Sequence, residues 1–257
     1  MFINYEKKGR IGYFTLNRPE ALNAFNPEMF KELSDALIDF KQDDSLWVGI
    51  LTGAGERAFS AGADVKTMLP KLGCEWQVDP SLMPPTIVRG LELWKPMIAA
   101  INGLALGGGT EFALACDIRI AAEKAILGQP EARLGLIPGW GGTCRLPRMV
   151  PWAKAAEMLF TGDSITAQEA YRIGLVNEVV PLTELIPAAE RWAERIMRNG
   201  PLAVRAAKEI MTKSMSMSFE ECLKLEWERF GQLSRTEDAA EGKRALLEKR
   251  KPEFKGR

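Results

Sequence analysis

Asn102-Gly103-Leu104-Ala105-Leu106-Gly107-Gly108-Gly109-Thr110-Glu111 is the stretch that decides the fold. It follows the apolar run at residues 97–101, which reads as a buried strand, and it opens into Phe112-Ala113-Leu114-Ala115-Cys116, which reads as a helix. A strand that turns through glycines into a helix points to an α/β layer fold. The glycines expose backbone N–H groups, and a helix N-terminus adds partial positive charge, which suits a developing negative oxygen. A tight strand-to-helix turn that needs glycine only for its geometry explains the same residues. Glu111 is a single acid in an otherwise apolar helical stretch. It is a candidate base, held ionised by the helix N-terminus, or simply a partner of the helix dipole.

Working outward, Phe59-Ser60-Ala61-Gly62-Ala63-Asp64-Val65-Lys66 is a second segment of small residues. It comes soon after a strand-like run at residues 47–52. Two such segments, each after a strand, favour a site with two N–H donors for one oxyanion. Gly53-Ala54-Gly55-Glu56-Arg57-Ala58 matches a dinucleotide fingerprint, but no helix follows it within the required turn. Glu131 lies in Gly128-Gln129-Pro130-Glu131, just after a short strand, where acids are usually solvated.

The flanks fill in the architecture. Residues 2–7 and 10–16 read as strands around a Lys8-Gly9 turn. Asn26 is an N-cap with Pro27 at the first helical position, and Phe30, Leu33, Leu37 and Phe40 recur at helical spacing, which predicts a helix over 27–41. Residues 86–94 read as helix, and 118–121 and 125–127 as short strands. After Pro151 helical patterns dominate, with one clear late strand at 176–180. Residues 201–217, 219–233 and 236–249 read as three helices, a tail suited either to packing on another subunit or to capping its own core.

Composition removes several functions. Acids and bases cancel, 34 against 34, so a nucleic-acid partner that needs a basic excess is not indicated. There is no histidine, which excludes a Ser-His-Asp triad, a Cys-His pair and a His-ligated metal. Proton transfer at neutral pH falls to carboxylates, Lys, Tyr, Cys or water. The four cysteines (Cys74, Cys116, Cys144 and Cys222) contain no CxxC pair, and no secretory signal opens the chain. Reduced thiols in a cytoplasmic protein are expected. No apolar run is long enough to span a bilayer.

Taken together, these segments resemble the enoyl-CoA hydratase/isomerase (crotonase) family. The likeness runs nearly end to end. It rests on Asn17-Arg18-Pro19 with Leu22-Asn23-Ala24, on Ser60 to Asp64, on Asn102 to Glu111, on Gly128 to Glu131, on Ile137-Pro138-Gly139 with Gly141-Gly142-Thr143, on Thr161-Gly162, on Ala170 to Val176, and on the ending Glu248 to Phe254. The resemblance implies an α/β fold: a spiral of repeated β-β-α units over residues 1–196, followed by a helical trimerisation region over 197–257. It implies a homotrimer or a homohexamer built as a dimer of trimers. It also implies an acyl-CoA substrate in fatty acid metabolism, no metal, and no cofactor beyond the coenzyme A of the substrate. By motif match the N–H groups of Ala63 and Gly108 hold the thioester oxygen, and Glu111 and Glu131 are the hydratase glutamate pair. Ala61, Ala63, Asp64, Val65, Lys66 and Gly108 match positions along the CoA thioester. Lys249 matches a lysine that reaches a CoA on a neighbouring subunit. Relatives carry an aromatic residue near there, where this chain has Leu246.

The expected reaction is hydration. Glu111 activates water for attack on Cβ, and Glu131 handles the proton at Cα. Isomerase, C–C hydrolase and thioesterase activities are the alternatives within the family, as is hydration of a cyclic dienoyl-CoA. A non-catalytic RNA- or partner-binding role is disfavoured by the zero net charge and the glutamate pair. Residues 68–85, with Met68, Leu69, Leu72, Trp76, Met83, Pro84 and Pro85, are the least family-like stretch and form either a wall of the acyl pocket or a surface loop. Trp140, between Gly139 and Gly141, is a candidate for shortening that pocket or stacking on a flat acyl group.

Overall fold

The computed structural model describes residues 1–68 and 83–257. An antiparallel hairpin, β1 (Ile3–Lys8) and β2 (Ile11–Leu16), turns at Gly9 with φ +58°. Helix α1 (Pro27–Gln42) starts as its sequence requires: the Asn26 side chain accepts the Met29 N–H at 2.8 Å, and Pro27 occupies the first turn. Its Phe30, Leu33, Leu37 and Phe40 are buried on one face.

The chain then advances in repeated steps through β3 (Val48–Gly53), β4 (Ala58–Ser60), β5 (Met97–Ile101), β6 (Leu104–Leu106), α2 (Gly108–Ala115), β7 (Ile118–Ala122) and β8 (Ile126–Gly128). Helices α3 (Gly142–Met149) and α4 (Trp152–Thr161) follow, then β9 (Ser164–Thr166), α5 (Ala167–Arg172), β10 (Glu178–Val180) and α6 (Leu185–Met197). The large sheet has the order β1-β2-β3-β5-β7-β10, and the small one β4-β6-β8-β9. Beyond the first hairpin the large sheet is parallel, and β4, β6 and β8 are parallel in the small sheet. Each step therefore leaves one strand in the large sheet and the next in the small one. This is the β-β-α spiral.

Strand residues point alternately to two faces, and here both are covered. Val48 and Ile50 of β3, Ile98 and Ala100 of β5, and Ile120 of β7 meet Leu185, Ala188, Ala189 and Ala193 of α6. Leu51, Met97, Ala99 and Ile101 face the other way, into the main core with Phe14, Phe25, Phe30, Phe40, Phe59 and Phe112. That double burial explains why these strands read as unbroken apolar runs.

Crossing from one sheet to the other needs close backbone approach. A Cβ on Gly53 or Gly103 would collide with the backbone of Ala58 or Arg57. Two buried asparagines from the sequence motifs tie the crossing. The Asn102 side-chain amide donates to Gly55 O and Ala58 O, and that of Asn23 donates to Ala54 O and Ala58 O.

One sequence expectation fails: residues 86–94 form no helix. Thr86 and Arg89 exchange backbone hydrogen bonds at 2.8 and 3.0 Å, and Gly90 sits at φ +79°, so the segment is a tight turn. The apolar spacing of Ile87, Leu91 and Trp94 imitates a helix period. The expected late strand is shorter than read, and β4, β6 and β9 are three-residue strands that no sequence pattern announced.

Three further helices, α7 (Pro201–Lys213), α8 (Phe219–Leu233) and α9 (Glu237–Leu247), complete the chain. The tail after α9 folds back on it. Asp238 accepts the Lys255 and Gly256 N–H groups at 2.7 and 2.8 Å, and Arg250 pairs with Glu241. Among the described residues no helix is long and apolar enough to cross a membrane.

Candidate active site

Glu111 is the fourth residue of α2, a helix buried along nearly its whole length, and the side chain is itself only 2% exposed. Its Oε1 accepts two backbone N–H groups from the turn before α3, Trp140 at 2.6 Å and Gly142 at 2.7 Å. Burial pushes its pKa up to about 7, as does the nearby Glu131 charge, while the two N–H groups and the Arg145 charge hold it down. Burial therefore works against the ionised form that the helix N-terminus favours.

Glu131 stands in a short 3-10 turn, Pro130–Leu134, directly after β8. The pairing of β6 with β8 brings Leu106 beside Gly128, and the Gly107 N–H donates to Gly128 O at 2.9 Å. This register sets Glu131 beside the glycine turn: a Cβ on Gly107 would lie 3.0 Å from Glu131 Oε1. Gln129, fully buried, aims its side-chain amide at both Glu131 carboxylate oxygens, and with the amide assigned so that its nitrogen lies on that side it donates to each at 3.1 Å. Glu131 is half-buried, and burial raises its pKa. A solvated loop acid, the expectation from this segment alone, is therefore not what forms.

The two small-residue segments meet beside these acids. Phe25 bridges to Ala63, donating its N–H to Gly62 O and accepting from Asp64 N–H, both at 2.8 Å. That pairing leaves the Ala63 N–H pointing away. Gly62, at φ +90°, passes so close to α2 that a Cβ there would lie 2.9 Å from the Gly108 nitrogen. A Cβ on Gly109 would collide with Ser60 O. Neither the Ala63 nor the Gly108 N–H finds an acceptor among the described residues. An oxyanion is the chemistry such a pair of donors can serve.

Other expected site residues fall around this centre. The Ala61 N–H donates back to Leu22 O. Asp64 pairs with Arg18 at 3.0 Å, both largely buried, and it accepts the Lys66 N–H, which fixes the loop that carries Ala63. Val65 and Lys66 are exposed, and Met68 is half-buried with its N–H on Asp64 O. Leu69, Leu72 and Trp76 lie outside the described residues. Trp140 is half-buried against Phe30, Phe25 and Phe112, with ring centroids 5.3, 5.7 and 5.9 Å away, and its ring covers Gly108 where a Cβ would otherwise stand. Lys249 is exposed after α9, at φ +55°, and no hydrogen bond or ion pair joins it to the glutamates among the described residues. Sequence reasoning missed Gln129, Arg18 and Arg145. The only signal for Gln129 was a polar residue between an apolar strand and Pro130.

Among the described residues no group of three Cys, Asp or Glu side chains is arranged to hold a metal ion. A family profile described as enoyl-CoA hydratase/isomerase matches residues 6–257. The chain is 44% identical over 254 residues to the short-chain-enoyl-CoA hydratase of Clostridium acetobutylicum, covering 98% of this chain and 97% of that protein. It is 42% identical over 250 residues to the crotonyl-CoA hydratase of Syntrophomonas wolfei subsp. wolfei, covering 97% and 96%. Among solved structures, that of enoyl-CoA hydratase from Bacillus anthracis matches with a TM-score of 0.91 and 41% identity, covering both chains fully.

Proposed function

The chain belongs to the enoyl-CoA hydratase/isomerase family, and on that premise we propose that it is a hydro-lyase, an enoyl-CoA hydratase that adds water reversibly across the 2,3 double bond of an unsaturated acyl-CoA. The observation that carries this reading is the grouping of two glutamates, each with its pKa raised by burial, with two N–H donors that find no acceptor among the described residues.

Conjugation to a thioester makes Cβ electrophilic. Attack by water pushes the π electrons onto the carbonyl oxygen as an enolate. The Ala63 and Gly108 N–H groups hold that charge, each such donor being worth roughly 3 kcal/mol. Glu111 accepts a proton from the attacking water. With a pKa of about 7 it is near half-ionised at neutral pH, so it can take the proton and return it. Glu131, oriented by Gln129, gives a proton to Cα as the enolate collapses. Glu111 enters ionised and Glu131 protonated. One water hydrogen stays in the β-hydroxyl, the other goes to Glu111, and Cα takes the Glu131 proton on the same face. Transfer of a proton from Glu111 back to Glu131 through water resets the pair. Retention of two acids favours this over isomerisation, which needs one base. The Trp140 ring, packed on Gly108, closes the acyl site to a short or flat group. Lys66 and Lys249 are the cations for the CoA phosphates.

The assembly belongs to the same proposal. Helix α8 has no buried residue, and Phe219, Trp227 and Phe230 are 79%, 76% and 62% exposed along it. A monomer rarely leaves such a stripe bare, which supports a homotrimer or a dimer of trimers that brings Lys249 to a neighbour's substrate. Cys116, Cys144 and Cys222 are unpaired among the described residues, which supports a cytoplasmic setting.

The test is a screen of short, long, branched and cyclic enoyl-CoA thioesters, followed by mass spectrometry. A gain of one water on a short thioester is expected. A shifted double bond without mass change would replace hydration by isomerisation.

A further inference from the structure

Arg145 is a largely buried guanidinium with no carboxylate within ion-pair distance among the described residues. Its hydrogen bonds go instead to two carbonyls in different segments: Nη1 donates to Trp140 O and Nη2 to Val88 O, both at 2.9 Å. A buried cation left without an anion is costly unless it does something. The Trp140 carbonyl lies in the turn whose N–H groups, at Trp140 and Gly142, grip Glu111 Oε1. Gly141, between them, sits at φ +105°, and any Cβ there would overlap the Arg145 guanidinium.

We infer that Arg145 is a positioning residue for Glu111: its two-pronged guanidinium clamps the Trp140–Gly142 turn from behind, so that two N–H groups converge on one carboxylate oxygen and the other oxygen is presented to the reacting water. Only a planar fork can reach both carbonyls at once. This rests on the hydratase reading for its catalytic meaning, though not for its geometry.

The clamp also brings a charge. The strands packed on α2, Ala58–Ser60 and Leu104–Leu106, carry no ionisable side chain. Helix α3 carries Cys144, Arg145 and Arg148, and Arg148 is exposed with its guanidinium on Cys144 O. Glu131 is the acid that opposes Glu111, and Arg145 is the cation that favours its charged form. Glu111, with Cys144 and Cys116, is what Arg145 faces in turn. Removing the cation leaves burial and Glu131 acting on Glu111 unopposed by charge.

The experiment compares Arg145→Met and Arg145→Lys with the wild-type protein. In Arg145→Met the acid limb of the kcat/KM profile for crotonyl-CoA hydration should move to higher pH, and kcat should fall with KM little changed. Arg145→Lys keeps the charge without the fork, so its acid limb should stay in place while kcat remains depressed. Where Arg145→Met does not fold, Arg145→Gln serves the same comparison. A parallel infrared titration reads the Glu111 carboxyl directly, its band identified by loss in Glu111→Gln, with no substrate present. An unshifted Glu111 band in the neutral variant, or wild-type kcat in Arg145→Lys, overturns the inference. If the wild-type protein hydrates no thioester, the functional reading fails, and the infrared titration still decides the role of Arg145.

Discussion

Replacing Glu111 by glutamine should abolish hydration and stabilise the protein, and the second effect should depend on pH in a definite direction. Folding raises the Glu111 pKa from the ordinary 4.5 to about 7, chiefly through burial. Between those values the folded protein holds a proton that the unfolded chain has released. Stability therefore falls as pH rises through this window, and the loss is complete above about pH 7. At 1.36 kcal/mol per unit the penalty comes to about 3 kcal/mol. Glutamine is neutral throughout, and its carbonyl can still accept the Trp140 and Gly142 N–H groups. Glu111→Gln should therefore gain about 3 kcal/mol over the wild-type protein at pH 8 and almost nothing at pH 4.5. Urea unfolding of both proteins at each pH, at one protein concentration because any assembly adds to apparent stability, gives the two differences. Hydration of crotonyl-CoA by the variant should be at least about 100-fold slower. A stability difference that is the same at both pH values would refute the account of a carboxyl whose pKa burial raises.

Three other outcomes are expected. Glu131→Gln should lower kcat by about 100-fold or more with KM nearly unchanged, and steady-state hydration assays at saturating substrate would show otherwise if the acid were dispensable. Gly108→Ala keeps its N–H but drives a Cβ into the Trp140 ring. It should be destabilised by roughly 1–3 kcal/mol, and much of that loss should vanish in the Gly108→Ala, Trp140→Ala double variant, as a double-mutant cycle by thermal unfolding would reveal. Trp140→Ala alone should cost about 3 kcal/mol and move the preference toward longer acyl groups. An unchanged ranking of C4 to C10 thioesters would remove the ring from the acyl site.

Much of the fold was legible because its signals are local. The Asn26-Pro27 cap, the period of Phe30 to Phe40, and the apolar run of Met97–Ile101 each state their element without help from the rest of the chain. The small sheet was legible only at β8, read as 125–127. Its strands are three residues long, too short for a period, and they exist because the crossings at Gly53 and Gly103 place them in register. Residues 86–94 misled because apolar spacing alone does not know that Gly90 will turn left-handed. In the site, Glu111 stood out as an acid among apolar residues. The setting of Glu131 by Gln129 and the clamp of Arg145 on Trp140 and Val88 depend on partners 2, 5 and 57 residues away that only the folded chain brings into place, which a linear reading does not supply.

The small sheet also works as a ruler. Ala63 follows β4, Gly108 follows β6 and Glu131 follows β8, so three consecutive rungs each end at one group of the proposed site. Rungs in any sheet stand about 4.8 Å apart, a spacing fixed by peptide hydrogen bonds and indifferent to side chains. The interval between the groups is thus inherited from the backbone. Sequence drift in the surrounding loops can retune what is bound without altering how far apart the chemistry is held.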